Sequence, residues 1–522
     1  MLNRAPTTAT PPAPSPDKTG NTRWKRVAGM TCFLLCLCGH HLPVWAFQAR
    51  ISLGAEEGRP ANRNLLGNNV QWVDQGDGLV DQRGALNRSR IKPFEPHGIP
   101  TLRFPGGSLS DSYHWKDGVG GVSKRPTGRD LSNRQKPNVF GTDEFLQLAR
   151  HLGAMPVITA NVASGTADEA AAWVRYSKEA AESRGLPKVR FWEIGNEPYL
   201  KEAQRPDLAL APQAFIRRFN TFAAAMRSAD PSIKIGLPLR TDQINGVPVS
   251  AYPGYNQTVL TGLSVPIDFA ALHYYFPFAN DKAYSDTDLY WATMAAPEVM
   301  RQDLVRTRTE IVRHLKTDIP IAITEYNALF TLGRPATDGH INTLGAALLI
   351  ADMLRVFAET PGIIFANYWS MSGNWHFGMT GPDATPRPSY HIYTLYSSLL
   401  QGHHLPVKVE SPTFDCRSVG LIPTTTGLPL VTAIATRHHR TTRLLVINKS
   451  LTDTAEIEID TPAPLGDETI KARILSSPSP LAGHANHPPI ETRHLQSAPR
   501  EGKRMLTLPA HAIALLEFSP AQ

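Results

Sequence analysis

Phe191-Trp192-Glu193-Ile194-Gly195-Asn196-Glu197-Pro198 is the stretch on which the reading of this chain turns. A second stretch, Ile321-Ala322-Ile323-Thr324-Glu325-Tyr326-Asn327, repeats its pattern. In each, a short apolar run reads as a buried strand, a glutamate ends it, and a polar or turn-forming residue follows at once. Two acids carried to the same end of a parallel barrel meet across one pocket even when far apart in sequence.

Working outward, runs of the same kind recur along the chain. They are Leu65–Val70, Thr101–Phe104, Pro156–Asn161, Val189–Ile194, Ile233–Leu237, Phe269–Tyr274, Ile319–Thr324 and Ile363–Trp369. Several are rich in Val and Ile without clean alternation, the mark of strands covered on both faces. The intervening segments are long enough for crossover helices. Thr166-Ala167-Asp168-Glu169 reads as a capping box, Ala170 to Ser183 as a helix, and Gly185 as its stop. Another helix opens at Thr142-Asp143-Glu144 and puts Phe145, Leu148 and Leu152 on one face. Strand–helix units in this succession predict an α/β fold, a (β/α)8 TIM barrel over residues 62–400.

The pattern changes near residue 400. Leu430–Thr436, Arg443–Asn448, Glu456–Ile459, Thr469–Leu475 and Ile513–Phe518 are β-type runs separated by Pro, Gly, Asn and Asp clusters. Residues 401–522 are therefore expected to form a C-terminal antiparallel β-sandwich, with a strand from 47–60 as a possible addition. Ser476–Pro489 and Asp281–Pro297 read as loops, the second placed to set exo or endo action.

Residues 1–46 have a separate logic. A Pro/Thr/Ser-rich leader precedes Arg23, Lys25 and Arg26, then the apolar run Val27–Cys38. That run, about a dozen residues, suits the core of an export signal and is shorter than the roughly 20 residues of a spanning helix. Val44-Trp45-Ala46 offers a cleavage site, so the expected location is secreted or periplasmic, without stable membrane association after cleavage. Loss of the segment lowers the formal charge from +7 to +3, because Arg4, Lys18, Arg23, Lys25 and Arg26 leave with Asp17. That balance, with no basic stripe interleaved with aromatics, argues against a nucleic-acid partner. Cys416 alone among the cysteines lies beyond the signal, so the mature monomer can form no internal disulfide, and its thiol reads as buried and inert.

The chemistry belongs at the C-terminal ends of the barrel strands. One protonated and one ionised carboxylate flanking a sugar bond is the equipment of glycoside hydrolysis. Glu197 and Glu325 are the candidates, with Trp192 and Tyr199 as apolar walls and Arg103 as the cation beside the ionised partner. His403-His404 and His438-His439 are adjacent pairs, not spaced as ligands, and read as surface histidines; no metal site and no cofactor are expected. Asp74-Gln75-Gly76-Asp77-Gly78 reads as an acidic turn rather than a calcium loop, its ligand spacing being incomplete.

The motifs also carry a resemblance. Trp192-Glu-Ile-Gly-Asn-Glu-Pro198 resembles the acid/base segment of clan A glycoside hydrolases, and Thr324-Glu-Tyr-Asn327 their nucleophile segment. Leu102-Arg-Phe-Pro-Gly-Gly-Ser108, Tyr113-His-Trp-Lys-Asp-Gly118, Gly141-Thr-Asp-Glu-Phe145 and Asn161-Val-Ala-Ser-Gly-Thr166 look like the family fifty-one α-L-arabinofuranosidases, related to family thirty-nine. The resemblance implies Glu197 as acid/base and Glu325 as nucleophile. It implies Asn196 on the sugar 2-hydroxyl, Arg103 and Tyr275 holding Glu325, His273 near substrate or the acid, and Trp369 as a platform for a sugar ring. Relatives often carry Trp at the place of Phe104 and Asn-Phe at Ser108-Leu109, positions in their sugar pocket. The implied partner is an oligo- or polysaccharide, cleaved by a retaining double displacement that releases arabinofuranosyl or related residues. An endo-glycanase or β-xylosidase of the same clan is the alternative, and a non-catalytic carbohydrate-binding protein on a barrel scaffold is the alternative of another class.

Overall fold

The structure is a computed structural model. It describes residues 46–200, 206–241, 252–279, 284–329, 341–373, 377–461, 469–483, 491–496 and 504–519, all within one compact unit, Val44–Gln522. The proposed signal, all but Ala46, therefore lies outside the described residues. Among the described residues no helix is long and apolar enough to cross a membrane.

Eight parallel strands close into a barrel: β1 (Gly67–Asn69), β2 (Thr101–Phe104), β3 (Met155–Ala160), β4 (Phe191–Ile194), β5 (Lys234–Pro238), β6 (Phe269–Pro277), β7 (Ile321–Leu329) and β8 (Ile363–Tyr368). Each neighbours the next in chain order and β8 pairs with β1, the TIM-barrel topology read from the sequence. The strand interiors are mostly buried, β2 and β7 along their whole length, because helices cover the outside while side chains fill the inside. β6 and β7 run past their expected ends, to Pro277 and Leu329. Glu325 thus stands within β7 instead of ending it, at a register shift between Ile323 and Glu325 that aligns it with His273.

Local signals explain the helices. Thr166 Oγ1 accepts the Glu169 amide at 3.1 Å, and Gly185 ends the helix Ala167–Arg184 at φ +60°. The expected capping box is only half formed, because the Glu169 carboxylate turns to His114 Nδ1 at 3.0 Å. The segment read as a loop at Asp281–Pro297 is largely helix: Ser285 caps Asp286–Leu315, which carries Pro297 inside it, while 281–283 lie outside the described residues. A proline signals a break, yet tertiary burial of Leu289, Tyr290, Met294 and Val299 outweighs the lost hydrogen bond.

Beyond the barrel, two sheets face each other. The inner one has six antiparallel strands in the order His403–Leu405, Val431–His438, Thr441–Asn448, Ala512–Phe518, Thr469–Leu475, Glu491–Gln496. The outer one orders Val407–Glu410, Ala46–Leu53, Thr454–Asp460, Arg504–Leu508. Ala46–Leu53 runs parallel to Thr454–Asp460, the one departure from antiparallel pairing in the two sheets. Ile457, Leu506, Val446 and Leu516 fill the space between the sheets, whereas Leu445, Ile447, Ile513 and Leu515 face the barrel core. Burial on both faces is why the inner strands read as continuous apolar runs. The outer strand Thr454–Asp460 alternates buried and half-exposed residues along its whole length. Cys416 is buried and unpaired, and burial pushes its thiol up to about 11. Of Ser476–Pro489, the described part is tied to the barrel: Leu344 and Gly345 amides donate to Ala482 and Pro480 carbonyls.

Candidate active site

At the C-terminal mouth of the barrel, β2, β4, β6 and β7 and the turns after them bring six ionisable side chains together. Arg103, from β2, is fully buried and divides its guanidinium among four partners. Nε donates to Glu193 Oε2 at 2.7 Å, Nη1 to Glu325 Oε1 at 2.8 Å and Asn69 Oδ1 at 3.0 Å, and Nη2 to Asn196 Oδ1 at 2.7 Å. A planar fork with five donors suits this sharing, which a lysine could not reproduce. Tyr275, from β6, donates its hydroxyl to Glu325 Oε2 at 2.6 Å. Both oxygens of Glu325 are therefore held, and one of them faces a fixed cation. Burial and the Glu325 carboxylate raise the Tyr275 phenol well above its ordinary value, so it remains a donor.

Glu197 follows β4 by three residues. The turn depends on Gly195, at φ +86°, where a Cβ would lie 2.6 Å from Val162 Cγ1. Glu197 itself is held at φ +42°, a conformation sparsely populated by residues other than glycine and often found at functional sites. Its carboxylate meets His273 Nδ1 at 2.9 Å, and 12% of the side chain stays exposed, enough for access from solvent. The same His273 nitrogen lies 3.7 Å from Glu325 Oε2. Burial alone would draw the imidazole down, but the Glu325 and Glu197 carboxylates outweigh it and leave it above its ordinary value.

An oxygen of Glu197, an oxygen of Glu325 and a His273 nitrogen all lie within 4.8 Å of one another. Three such atoms could in principle ligate a divalent cation, the group with that capacity among the described residues. Arg103, already on Glu325 Oε1, supplies the positive charge there instead. The Asp74–Gly78 turn gathers no such set: its residues adopt left-handed φ angles, Asp74 pairs with Lys136, and burial pushes Asp77 up to about 7.

Asn196 is 1% exposed, and its Nδ2 donates to no described residue, leaving a free amide beside the two carboxylates. Trp369 stands one residue past β8 and packs on the backbone at Gly107, where φ is +44° and a Cβ would sit 2.7 Å from Trp369 Cη2. All seven residues singled out in the sequence, Arg103, Asn196, Glu197, His273, Tyr275, Glu325 and Trp369, thus stand at this end of the barrel. Phe104 does not line the pocket. It is fully buried, stacked on Phe145 at 4.9 Å and edge-on to Tyr113 and Phe140. His403 and His404 also differ from a simple surface pair: His403 lies 3.3 Å from Glu57, and burial brings half-buried His404 down to about 4.

Sequence reading passed over Glu193. It is fully buried, accepts Thr159 Oγ1 at 2.9 Å and Thr324 Oγ1 at 3.0 Å, and binds Arg103. The signal was available: a charged residue inside a four-residue strand whose neighbour Trp192 packs outward on Trp173 must point into the barrel.

A closed parallel barrel with two glutamates from β4 and β7 facing each other defines a clan A glycoside hydrolase, and known proteins agree. The model described as glycosyl hydrolases family 39 matches residues 178–465, more than half of the chain, and the chain belongs to that family as the model draws it. A second model, α-L-arabinofuranosidase 1 domain, matches residues 94–261, and over that stretch the chain is arabinofuranosidase-like. A probable α-L-arabinofuranosidase C of Aspergillus niger is 33% identical over 175 residues, covering 31% of this chain and 33% of that protein. The chain thus spans about a third of the length of the first curated relatives it matches. An intracellular exo-α-L-arabinofuranosidase of Bacteroides ovatus is 24% identical over 374 residues, 67% of this chain and 71% of the relative. The thermostable family 51 α-L-arabinofuranosidase of Thermotoga petrophila shares the fold at a TM-score of 0.75 and 21% identity, over 90% of this chain and 99% of that one.

Proposed function

We propose that this protein hydrolyses α-L-arabinofuranosidic bonds of polysaccharide or oligosaccharide with retention of configuration. The observation that carries the reading is the approach of Glu197 and Glu325 to within 4.8 Å between oxygens. Retaining enzymes hold their carboxyl groups about 5–5.5 Å apart, whereas inverting ones leave about 6.5–9.5 Å for a water. In the first step a Glu325 oxygen bonds to the anomeric carbon as the bond to the leaving oxygen breaks, and Glu197 gives that oxygen a proton. In the second, Glu197 takes a proton from water, the water oxygen bonds to the anomeric carbon, and the Glu325 ester bond breaks. Arg103 and Tyr275 orient Glu325, and the free Asn196 amide offers a donor to the sugar 2-hydroxyl, a contact that tightens as the oxocarbenium-like state forms.

The names of the relatives support arabinofuranose as the sugar. The longer family 39 match favours a second reading, a β-xylosidase or endo-glycanase built on the same two glutamates. A panel of nitrophenyl glycosides with polymeric arabinan, xylan and glucan separates them. Turnover of the arabinofuranoside, its loss in Glu325→Ala and Glu197→Ala, and azide rescue of the latter on an activated substrate are expected. Full activity in either variant, or preference for xylan or glucan, sinks the first reading. Export is part of the proposal, supported by Arg23, Lys25 and Arg26 ahead of Val27–Cys38; N-terminal sequencing of protein recovered outside the cytoplasm checks it.

A further inference from the structure

On its Nε2 side, His273 has only one consistent hydrogen-bond direction. Glu193 accepts on both oxygens: Oε2 takes Arg103 and Thr159, and Oε1 takes the Thr324 hydroxyl at 3.0 Å. A threonine hydroxyl has one proton to give. With that proton on Glu193, Thr324 Oγ1 can only accept from its other neighbour, His273 Nε2, at 3.0 Å. The imidazole proton therefore sits on Nε2. Nδ1, 2.9 Å from Glu197, then presents a lone pair when the ring is neutral. A hydrogen bond at that distance requires one proton between Nδ1 and Glu197. A neutral ring of the opposite tautomer would instead donate Nδ1–H to the Glu197 carboxylate and stabilise the form that has no proton to give.

We propose that Glu193 and Thr324 are positioning residues for the acid: by fixing one imidazole proton on Nε2 of His273 they turn Nδ1 to Glu197, so that the pair shares the single further proton that Glu197 delivers. The inference rests on the retaining reading, in which Glu197 is the proton donor of the first step. When the leaving oxygen takes that proton, His273 keeps its Nε2–H and is left neutral beside an ionised Glu197. Water returns the proton to Glu197 in the second step. The charged and titratable groups around the ring are Glu197 and Glu193 from the β4 segment, Glu325 on β7 at 3.7 Å, Arg103 on β2 and Tyr275 two residues along β6. Neither Glu193 nor Thr324 is accessible, both being fully buried, so their role runs through His273 and not through substrate.

The test compares Thr324→Val, which keeps shape and removes the hydroxyl, with Thr324→Ser, which keeps the hydroxyl. The readout is kcat/KM against pH on a nitrophenyl arabinofuranoside and on a dinitrophenyl one, whose leaving group needs no acid. On the first substrate the basic limb of Thr324→Val moves down by about 0.5–1 pH unit, while Thr324→Ser follows the wild type. On the second substrate all three profiles coincide. The proposal is overturned if Thr324→Val overlays the wild type on the first substrate, if Thr324→Ser shifts as far, or if the shift is equal on both substrates. Should Thr324→Val fail to fold by circular dichroism, Thr324→Ala carries the same expectation. A wild type inactive on every glycoside, or active without Glu197 or Glu325, defeats the retaining reading itself; a bell-shaped wild-type profile with no Thr324 effect defeats only the relay.

Discussion

Among the described residues, two clusters of charge set into the fold are built on opposite principles. At the barrel mouth, Glu193, Glu197 and Glu325 surround one guanidinium, Arg103, and one imidazole, His273. Where the helix Leu344–Glu359 meets the sandwich, Asp352, Glu298 and Glu359 interlock with Arg355, Arg301 and Lys449. The second cluster matches every carboxylate with a cation. Asp352 alone takes Arg355 Nε at 2.5 Å, Lys449 Nζ at 2.6 Å and the Thr432 hydroxyl at 2.9 Å. Burial would raise the Asp352 carboxyl, but Arg355 and Lys449 hold it far below the usual carboxylate range. Full compensation makes a fastener between barrel and sandwich. The mouth is left short of positive charge, and that shortage is what allows one carboxylate to hold a transferable proton beside another that stays ionised.

The comparison breaks most sharply at Glu325. Glu325→Gln is expected to lower kcat by on the order of 10⁴-fold or more, about 5.5 kcal/mol of transition-state stabilisation. The same change relieves the crowding of carboxylates around Arg103, so the urea midpoint should stay at or above that of the wild type, as active-site changes often do. A clear fall in the midpoint would show that the mouth, too, is a fastener. At the interdomain cluster the outcome inverts. Lys449→Met or Asp352→Asn strands the remaining buried charges and should cost about 3–5 kcal/mol of stability, with kcat per folded molecule unchanged. The pH dependence has a definite sign. The folded Asp352 value is depressed, so its contribution is present above the ordinary carboxylate value, about 3.9, and is lost as pH falls below it. The gap between wild type and Asp352→Asn is therefore widest at neutral pH and narrows below about pH 4.

How far the sequence spoke for each region follows from where the partners lie. The mouth was legible because barrel topology forces strand ends together: once eight strands are placed, Arg103, Glu197, His273, Glu325 and Trp369 have to converge. Glu193 escaped because a glutamate next to Trp192 in a four-residue strand was read as part of the run, though its inward direction follows from alternation. The fastener was not legible. Asp352 and Arg355 lie on the buried helix Leu344–Glu359, and Lys449 lies just past a sandwich strand, so no spacing links them. The inner sheet was found strand by strand where it is buried on both faces. His403–Leu405 and Val407–Glu410 in their sheets, and the pair Thr413–Cys416 with Thr425–Pro429, are too short and too exposed to carry a periodic signal.

A smaller effect sharpens the mouth. Tyr275→Phe removes the hydroxyl from Glu325 Oε2 and leaves Arg103 in place. Hydrogen bonds to charged groups contribute about 1.5–3 kcal/mol, so kcat/KM should fall by roughly 10–100-fold. If the phenol merely fills space, phenylalanine restores nearly full activity.

The smallest effect joins the two regions through a shared device. Thr324 and Thr432 each donate a hydroxyl to a buried carboxylate, Glu193 in one case and Asp352 in the other. In the compensated cluster the bond can only add strength: Asp352 already has two cations, so Thr432→Val should cost about 1 kcal/mol in urea unfolding and leave the kcat/KM profile against pH untouched. In the undercompensated cluster the equivalent bond directs a proton, so Thr324→Val moves the profile instead. A threonine hydroxyl thus takes its role from the charge balance of the carboxylate it serves. If Thr432→Val shifted the pH profile, or cost nothing, the distinction between the fastener and the reactive mouth would fail at its simplest point.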